Sequence, residues 1–127
     1  MINSQPKIRV LICSKYTLFR EGIKALLGHS DAIEVVGDAS TEKRSIRLAE
    51  RLHPDVVLVD AASKQTIQRL KEMDGHTKVL ILSPYDDEHL AADSLSAGAS
   101  GYIRKGAESE QLKRAIQNVC RGATFAA

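Results

Sequence analysis

Five short apolar runs, rich in β-branched residues, recur along this chain: Ile8 to Cys13, Ile33 to Val36, Val56 to Val59, Val79 to Leu82, and Tyr102 with Ile103. Stretches with helical spacing separate them. A run such as Val56-Val57-Leu58-Val59 offers no polar position to either side of a pleat, so as a strand it must be covered on both faces. A parallel sheet sandwiched between helices meets that demand. Five strands alternating with five helices predict an α/β, doubly wound parallel sheet of (βα)5 type. The chain has 127 residues, 43% of them hydrophobic, which is enough for one such core and not for two.

Leu18, Phe19, Gly22, Ile23, Leu26 and Leu27 read as one apolar stripe of the first helix, stopped at Gly28. Glu42 to Leu52 reads as a second helix ending before Pro54, and Asp86 to Ala97 as a fourth closed by Gly98. Lys64 to Met73 carries only Ile67, Leu70 and Met73 on its apolar face. The last helix presents Leu112, Ala115, Ile116 and Val119, with Glu108 and Glu110 at its start and Arg121-Gly122 at its end, an order that suits the helix dipole. Residues 122–127 show neither period and are expected to begin a linker, leaving 1–121 as the domain.

Several functions are disfavoured by composition and spacing. The formal net charge is +2, from 18 basic and 16 acidic side chains, too balanced for a surface that grips DNA phosphates by itself. Cys13 and Cys120 have no paired or metal-ligand spacing and read as buried, reduced thiols. No signal-peptide pattern opens the chain and its apolar runs are of strand length, so a cytoplasmic protein without membrane contact is expected. His29, His53, His76 and His89 lack any i, i+4 partner, and no glycine-rich phosphate loop follows the first strand. The acidic run Asp86-Asp87-Glu88 suits a helix start better than catalysis.

Ligand chemistry in doubly wound folds gathers at the carboxyl ends of the strands. There the chain places Asp60 after a fully apolar run, Ser83 at the end of the next, and Lys105 just past the last. Singly, a strand-terminal serine caps a turn and a lysine after a strand is solvated. A carboxylate, a hydroxyl and an ammonium converging on one edge make a stronger case for a site.

Seven segments stand out: Ile8-Arg-Val-Leu-Ile, Leu18-Phe-Arg-Glu-Gly-Ile, Ile33-Glu-Val-Val-Gly, Pro54-Asp-Val-Val-Leu-Val-Asp60, Lys78-Val-Leu-Ile-Leu-Ser83, Tyr85-Asp-Asp, and Ala97-Gly-Ala-Ser-Gly-Tyr-Ile-Arg-Lys105. Through them nearly the whole chain resembles the receiver domain of a LuxR/NarL-type response regulator. The resemblance implies a flavodoxin/CheY-like strand order of 2-1-3-4-5. It also implies that Asp60 stands at the phosphoacceptor position, Ser83 and Lys105 at phosphoryl-contacting positions, and Tyr102 at the switch aromatic. A helix-turn-helix DNA-binding domain would follow the linker.

The departures from that pattern matter more. Where the family carries an acidic pair that holds magnesium, this chain has Ser14 and Lys15, so the metal site is degenerate and no cofactor is expected. Lys15 is expected to pair with Asp60 as a built-in cation, since two unit charges about 4 Å apart at an effective dielectric near 20 interact by roughly 4 kcal/mol. The loop after Asp60 lacks the family's Met-Pro-Gly-type turn, and Pro84 is expected to stiffen the loop after Ser83.

The expected function is regulatory and not enzymatic: an atypical receiver, independent of phosphorylation, that governs dimerisation or an attached DNA-binding transcription domain. The dimer would form through the last two helices and last strand, or through the first and last helices. DNA would be met only through the attached domain. A conventional magnesium-dependent receiver, phosphorylated on Asp60 by a histidine kinase, is the first alternative, and a flavodoxin-like electron-transfer protein the second.

Overall fold

A computed structural model describes residues 6–60, 62–83 and 88–126. The elements run β1 (Ile8–Cys13), α1 (Thr17–Leu27), β2 (Ile33–Ala39), α2 (Glu42–Leu52), β3 (Val56–Asp60), α3 (Lys64–Glu72), β4 (Lys78–Ser83), α4 (Glu88–Ser96), β5 (Gly101–Arg104), α5 (Ser109–Cys120) and β6 (Phe125–Ala126). All strand pairs are parallel, in the order β2-β1-β3-β4-β5-β6. The expected order 2-1-3-4-5 is therefore present, extended by one short strand.

That sixth strand corrects the reading of residues 122–127 as linker alone. Gly122, at φ 90, takes the left-handed turn that glycine adopts without steric cost. The chain then returns to the open edge of β5, pairing Gly101 with Phe125 and Tyr102 with Ala126. An edge strand exposes unpaired N–H and C=O groups, and the tail satisfies some of them.

Alternation along each strand explains why the apolar runs are continuous. Val10, Ile12, Val56, Leu58, Leu80, Leu82 and Ile103 face one side, where they pack with Leu27 of α1 and Leu112, Ile116 and Val119 of α5. Their neighbours Leu11, Cys13, Val57, Val59, Val79, Ile81 and Tyr102 face the other, against Ala49 of α2 and Ile67 and Leu70 of α3. Successive side chains thus feed two cores, as a strand covered on both faces requires.

The helices follow their local chemistry. Thr41 caps α2 by accepting the Arg44 N–H at 3.1 Å, Ser63 caps α3 by accepting that of Thr66 at 3.2 Å, and Glu108 and Gln111 form a capping box on α5. One expectation fails on α1: Leu18 is 83% exposed. The stripe packed on the core runs through the partly buried Phe19, Ile23 and Leu26 and the buried Leu27, at i, i+4, i+7 and i+8, and Leu18 stands one step of about 100° away from it. The expectations for Pro84 and for Asp86 and Asp87 fall outside the described residues.

At the edge of the sheet where the strands begin, Asp74 ties down the turn into β4. One carboxylate oxygen accepts the N–H groups of His76 at 2.9 Å and Thr77 at 3.0 Å, which push its pKa from 3.8 down to about 2. A depressed carboxylate stabilises the fold above its unfolded pKa and loses that contribution as pH falls through its folded one. The stability advantage of the native chain over Asp74→Asn should therefore be full above about pH 4 and vanish towards pH 2, read from urea midpoints across an acid series. In the core, Leu58→Ala should cost about 2–5 kcal/mol, whereas Leu18→Ala should change stability by less than about 0.5 kcal/mol, both measured by urea unfolding.

Candidate functional site at the carboxyl edge of the sheet

Asp60 ends β3 with a side chain only 5% exposed, at the close of a strand whose other four residues are fully buried. A carboxylate in that position needs partners for both oxygens. Lys105 Nζ stands 2.8 Å from Oδ1. The Ser14 hydroxyl donates to Oδ2 at 2.7 Å and itself accepts the Tyr16 N–H at 3.2 Å. Among the described residues no buried side-chain polar atom is left without a partner.

The same alternation that builds the two cores selects these partners. Val10 and Ile12 face the α1/α5 side, and the next residue in that series is Ser14. Val56 and Leu58 lead likewise to Asp60, and Ile103 leads to Lys105. Three residues of one parity, from three strand ends, therefore meet. Lys15 belongs to the other parity, with Leu11 and Cys13.

The expected pairing of Lys15 with Asp60 is accordingly not what the structure contains. Lys15 is exposed, with its ammonium 5.2 Å from the centre of the Tyr16 ring. Asp60 carries one negative charge, already met by Lys105, and a second ammonium drawn into this buried position would leave an unbalanced positive charge, costing several kcal/mol. The role foreseen for Lys15 is divided between the Ser14 hydroxyl and Lys105.

Aromatic rings complete the setting of Lys105. Its ammonium lies 4.5 Å from the centre of the Phe19 ring and 5.4 Å from that of Tyr16, within reach of cation–π attraction. Its backbone N–H donates to the Ser83 carbonyl at 2.7 Å, fastening the ends of β4 and β5 together. Ser83 is 4% exposed, and Tyr102 is equally buried within the core on the α2/α3 side. Cys13 is buried behind the site, and desolvation raises its pKa, which marks an unreactive thiol.

Two supports escaped the sequence reading. Arg20 Nη1 donates to the Ser14 carbonyl at 2.6 Å while its Nε donates to Asp38 at 2.9 Å, with Lys24 3.5 Å from the same carboxylate. An arginine on α1 thus holds the Ser14 peptide from behind. Glu42, the first residue of α2, accepts the Ser63 N–H at 2.6 Å and so anchors the loop that follows Asp60. Neither contact leaves a periodic signal: Arg20 reaches back from α1 to a loop carbonyl, and Glu42 reaches from α2 to the loop after β3, so both depend on how the helices lie against the sheet.

With this geometry in place, comparison with known proteins is decisive about kinship. Residues 10–117 match the family model described as "Response regulator receiver domain". The chain belongs to the response regulator receiver domain family. It is 34% identical over 131 residues to the transcriptional regulatory protein DegU of Brevibacillus brevis, covering 96% of this chain and 54% of that protein. It is 31% identical to the nitrate/nitrite response regulator protein NarL of Escherichia coli, covering 96% and 58%. The chain therefore spans little more than half the length of these relatives.

Among solved structures, the signal receiver domain of the putative response regulator NarL from Mycobacterium tuberculosis superposes with a TM-score of 0.87 at 27% identity, covering 93% of this chain and 99% of that one. A LuxR-family response regulator from an Aurantimonas species shares the fold, with a TM-score of 0.88 at 24% identity over 94% of this chain and 89% of that one. The chain is thus a receiver domain of LuxR/NarL type, and the flavodoxin alternative falls away. Among the described residues no helix is long and apolar enough to cross a membrane.

The two contacts to Asp60 should differ in worth. Lys105→Met leaves a buried carboxylate without its counter-charge and should cost about 3 kcal/mol. Ser14→Ala removes one hydrogen bond to a charged group and should cost about 1.5–3 kcal/mol. Urea unfolding at neutral pH of both variants, with Lys15→Met as a control expected within about 0.5 kcal/mol of the native chain, checks the ranking.

Proposed function

We propose that this receiver domain keeps its site in a single state without metal-dependent phosphorylation, and passes that state to a second copy of itself and to a DNA-binding output domain. The observation that carries the reading is the double engagement of Asp60, by Lys105 at 2.8 Å and by the Ser14 hydroxyl at 2.7 Å. A phosphoryl donor would have to displace the Ser14 hydrogen bond to reach Oδ2 and the ion pair to reach Oδ1.

The donor set also fits magnesium poorly. That ion wants a near-octahedral shell of oxygens, usually with carboxylates among them. Here the carboxylate Asp60 has both oxygens bonded, and the neighbouring hydroxyl spends its proton on one of them. Among the described residues no group of three or more His, Cys, Asp or Glu side chains is placed to hold a metal.

An output domain is supported by the names of the relatives, transcriptional and nitrate/nitrite regulators of which this chain spans little more than half. Of the two dimer faces considered, the one made by the first and last helices has Leu18 in its favour, 83% exposed on α1. A histidine kinase is not required under this reading.

Incubation with acetyl phosphate and Mg²⁺, followed by intact mass, should show no stable phosphoryl adduct. An adduct that disappears in Asp60→Asn would instead establish the conventional, kinase-dependent reading. Restoring the acidic pair, with Ser14→Asp and Lys15→Asp together, should create Mg²⁺ binding detectable by calorimetry and should raise labelling of Asp60 above that of the native chain.

A further inference from the structure

At the end of the sheet opposite Asp60, a cleft of about 210 Å³ opens between the end of α3, the start of β4, the turn before β5 and the turn 122–124. Its charged lining consists of Lys71 and Lys78, and its other polar side chains are the hydroxyls of Ser100 and Thr124. Among the described residues no carboxylate lines it. Among the described residues neither lysine has an ion-pair partner. Asp55 and Asp74, on the adjoining turns, are already engaged. Asp55 accepts the Arg9 N–H at 2.8 Å and meets His76 Nε2 at 2.9 Å, and Asp74 accepts the His76 and Thr77 N–H groups.

Lysines near helix ends often serve the unsatisfied carbonyls of the last turn. At the end of α5 three of the last four carbonyls are already met by backbone N–H groups. The Arg121 N–H reaches the Gln117 and Asn118 carbonyls, that of Gly122 reaches Val119, and that of Ala123 reaches Asn118, at 3.0–3.3 Å. Lys71 is also laid in a defined path. Gly98 has φ +113, and a Cβ at that position would stand 2.9 Å from Lys71 Cδ. The glycine thus leaves the room through which the lysine stem crosses the α4–β5 turn.

Two lysines and two hydroxyl side chains lining one cleft, with no carboxylate there among the described residues, are the chemistry of an oxyanion site. The geometry points to a binding site for a small phosphate monoester, its phosphate held between Lys71 and Lys78 and its organic part in the remaining volume. A ligand seated there would link β4 and α3 to the 122–124 turn, and so stiffen the turn that carries β6 onto the sheet. This regulation would be separate from the Asp60 site.

The test is an amide NMR titration of the whole chain with inorganic phosphate and with glycerol 3-phosphate, each against sodium chloride at matched ionic strength. Both phosphates should give saturable shifts at Lys78, Ser100 and Gly122 to Thr124, and chloride should not. The double variant Lys71→Met with Lys78→Met keeps both stems. It should weaken binding by roughly tenfold or more while leaving the rest of the spectrum in place. Shifts that follow ionic strength alone, that centre on Ser14 and Lys105, or that persist in the double variant would overturn the proposal.

Discussion

The carboxyl edge of this domain is organised around one buried negative charge. β3 is fully apolar until its last residue, so Asp60 emerges from a dry core with almost no access to water. A carboxylate there is tolerable only if both oxygens are bonded, and the surrounding segments are arranged to do so. Lys105 supplies the counter-charge from the end of β5, and Ser14 supplies a hydrogen bond from the end of β1. Around them Arg20 fixes the Ser14 peptide and Phe19 shields the Lys105 ammonium.

Replacing the family's acidic pair with Ser14 and Lys15 changes the electrostatics of this edge in kind. With extra carboxylates, the site would carry surplus negative charge that a divalent ion must neutralise. With a serine, the charges of Asp60 and Lys105 balance, and Ser14 completes the hydrogen bonding without an ion. Lys15 adds its charge outside this balance, stacked beside Tyr16 at the mouth of the site. This balance of charge and hydrogen bonds at Asp60 is the feature on which the proposed phosphorylation-independent state rests.

Much of the fold was legible in the sequence, and so was the gathering of Asp60 and Lys105. Apolar runs without polar alternation announce strands covered on both faces, and glycines, prolines and capping residues mark the helix limits well enough to order the elements. Leu18 and Lys15 were misplaced for a related reason. Each stands one residue from a position that points inward, and an apolar or charged character does not reveal which of two adjacent positions faces the core. The short strand at Phe125–Ala126 was missed because two residues carry no periodicity, and their pairing is decided by the open edge of β5.

What the sequence by itself determined is the parity of each strand and the identity of the residue at its end, because a period of two and the run of burial are local properties of the chain. What only the tertiary structure decided is which strand-end residues touch. Parallel register brings the ends of β1, β3 and β5 to the same edge, and parity turns Ser14, Asp60 and Lys105 towards one another while turning Lys15 away. Contacts such as Arg20 with Ser14 and Glu42 with Ser63 depend on how helices lie against the sheet, a packing outcome that no local pattern encodes.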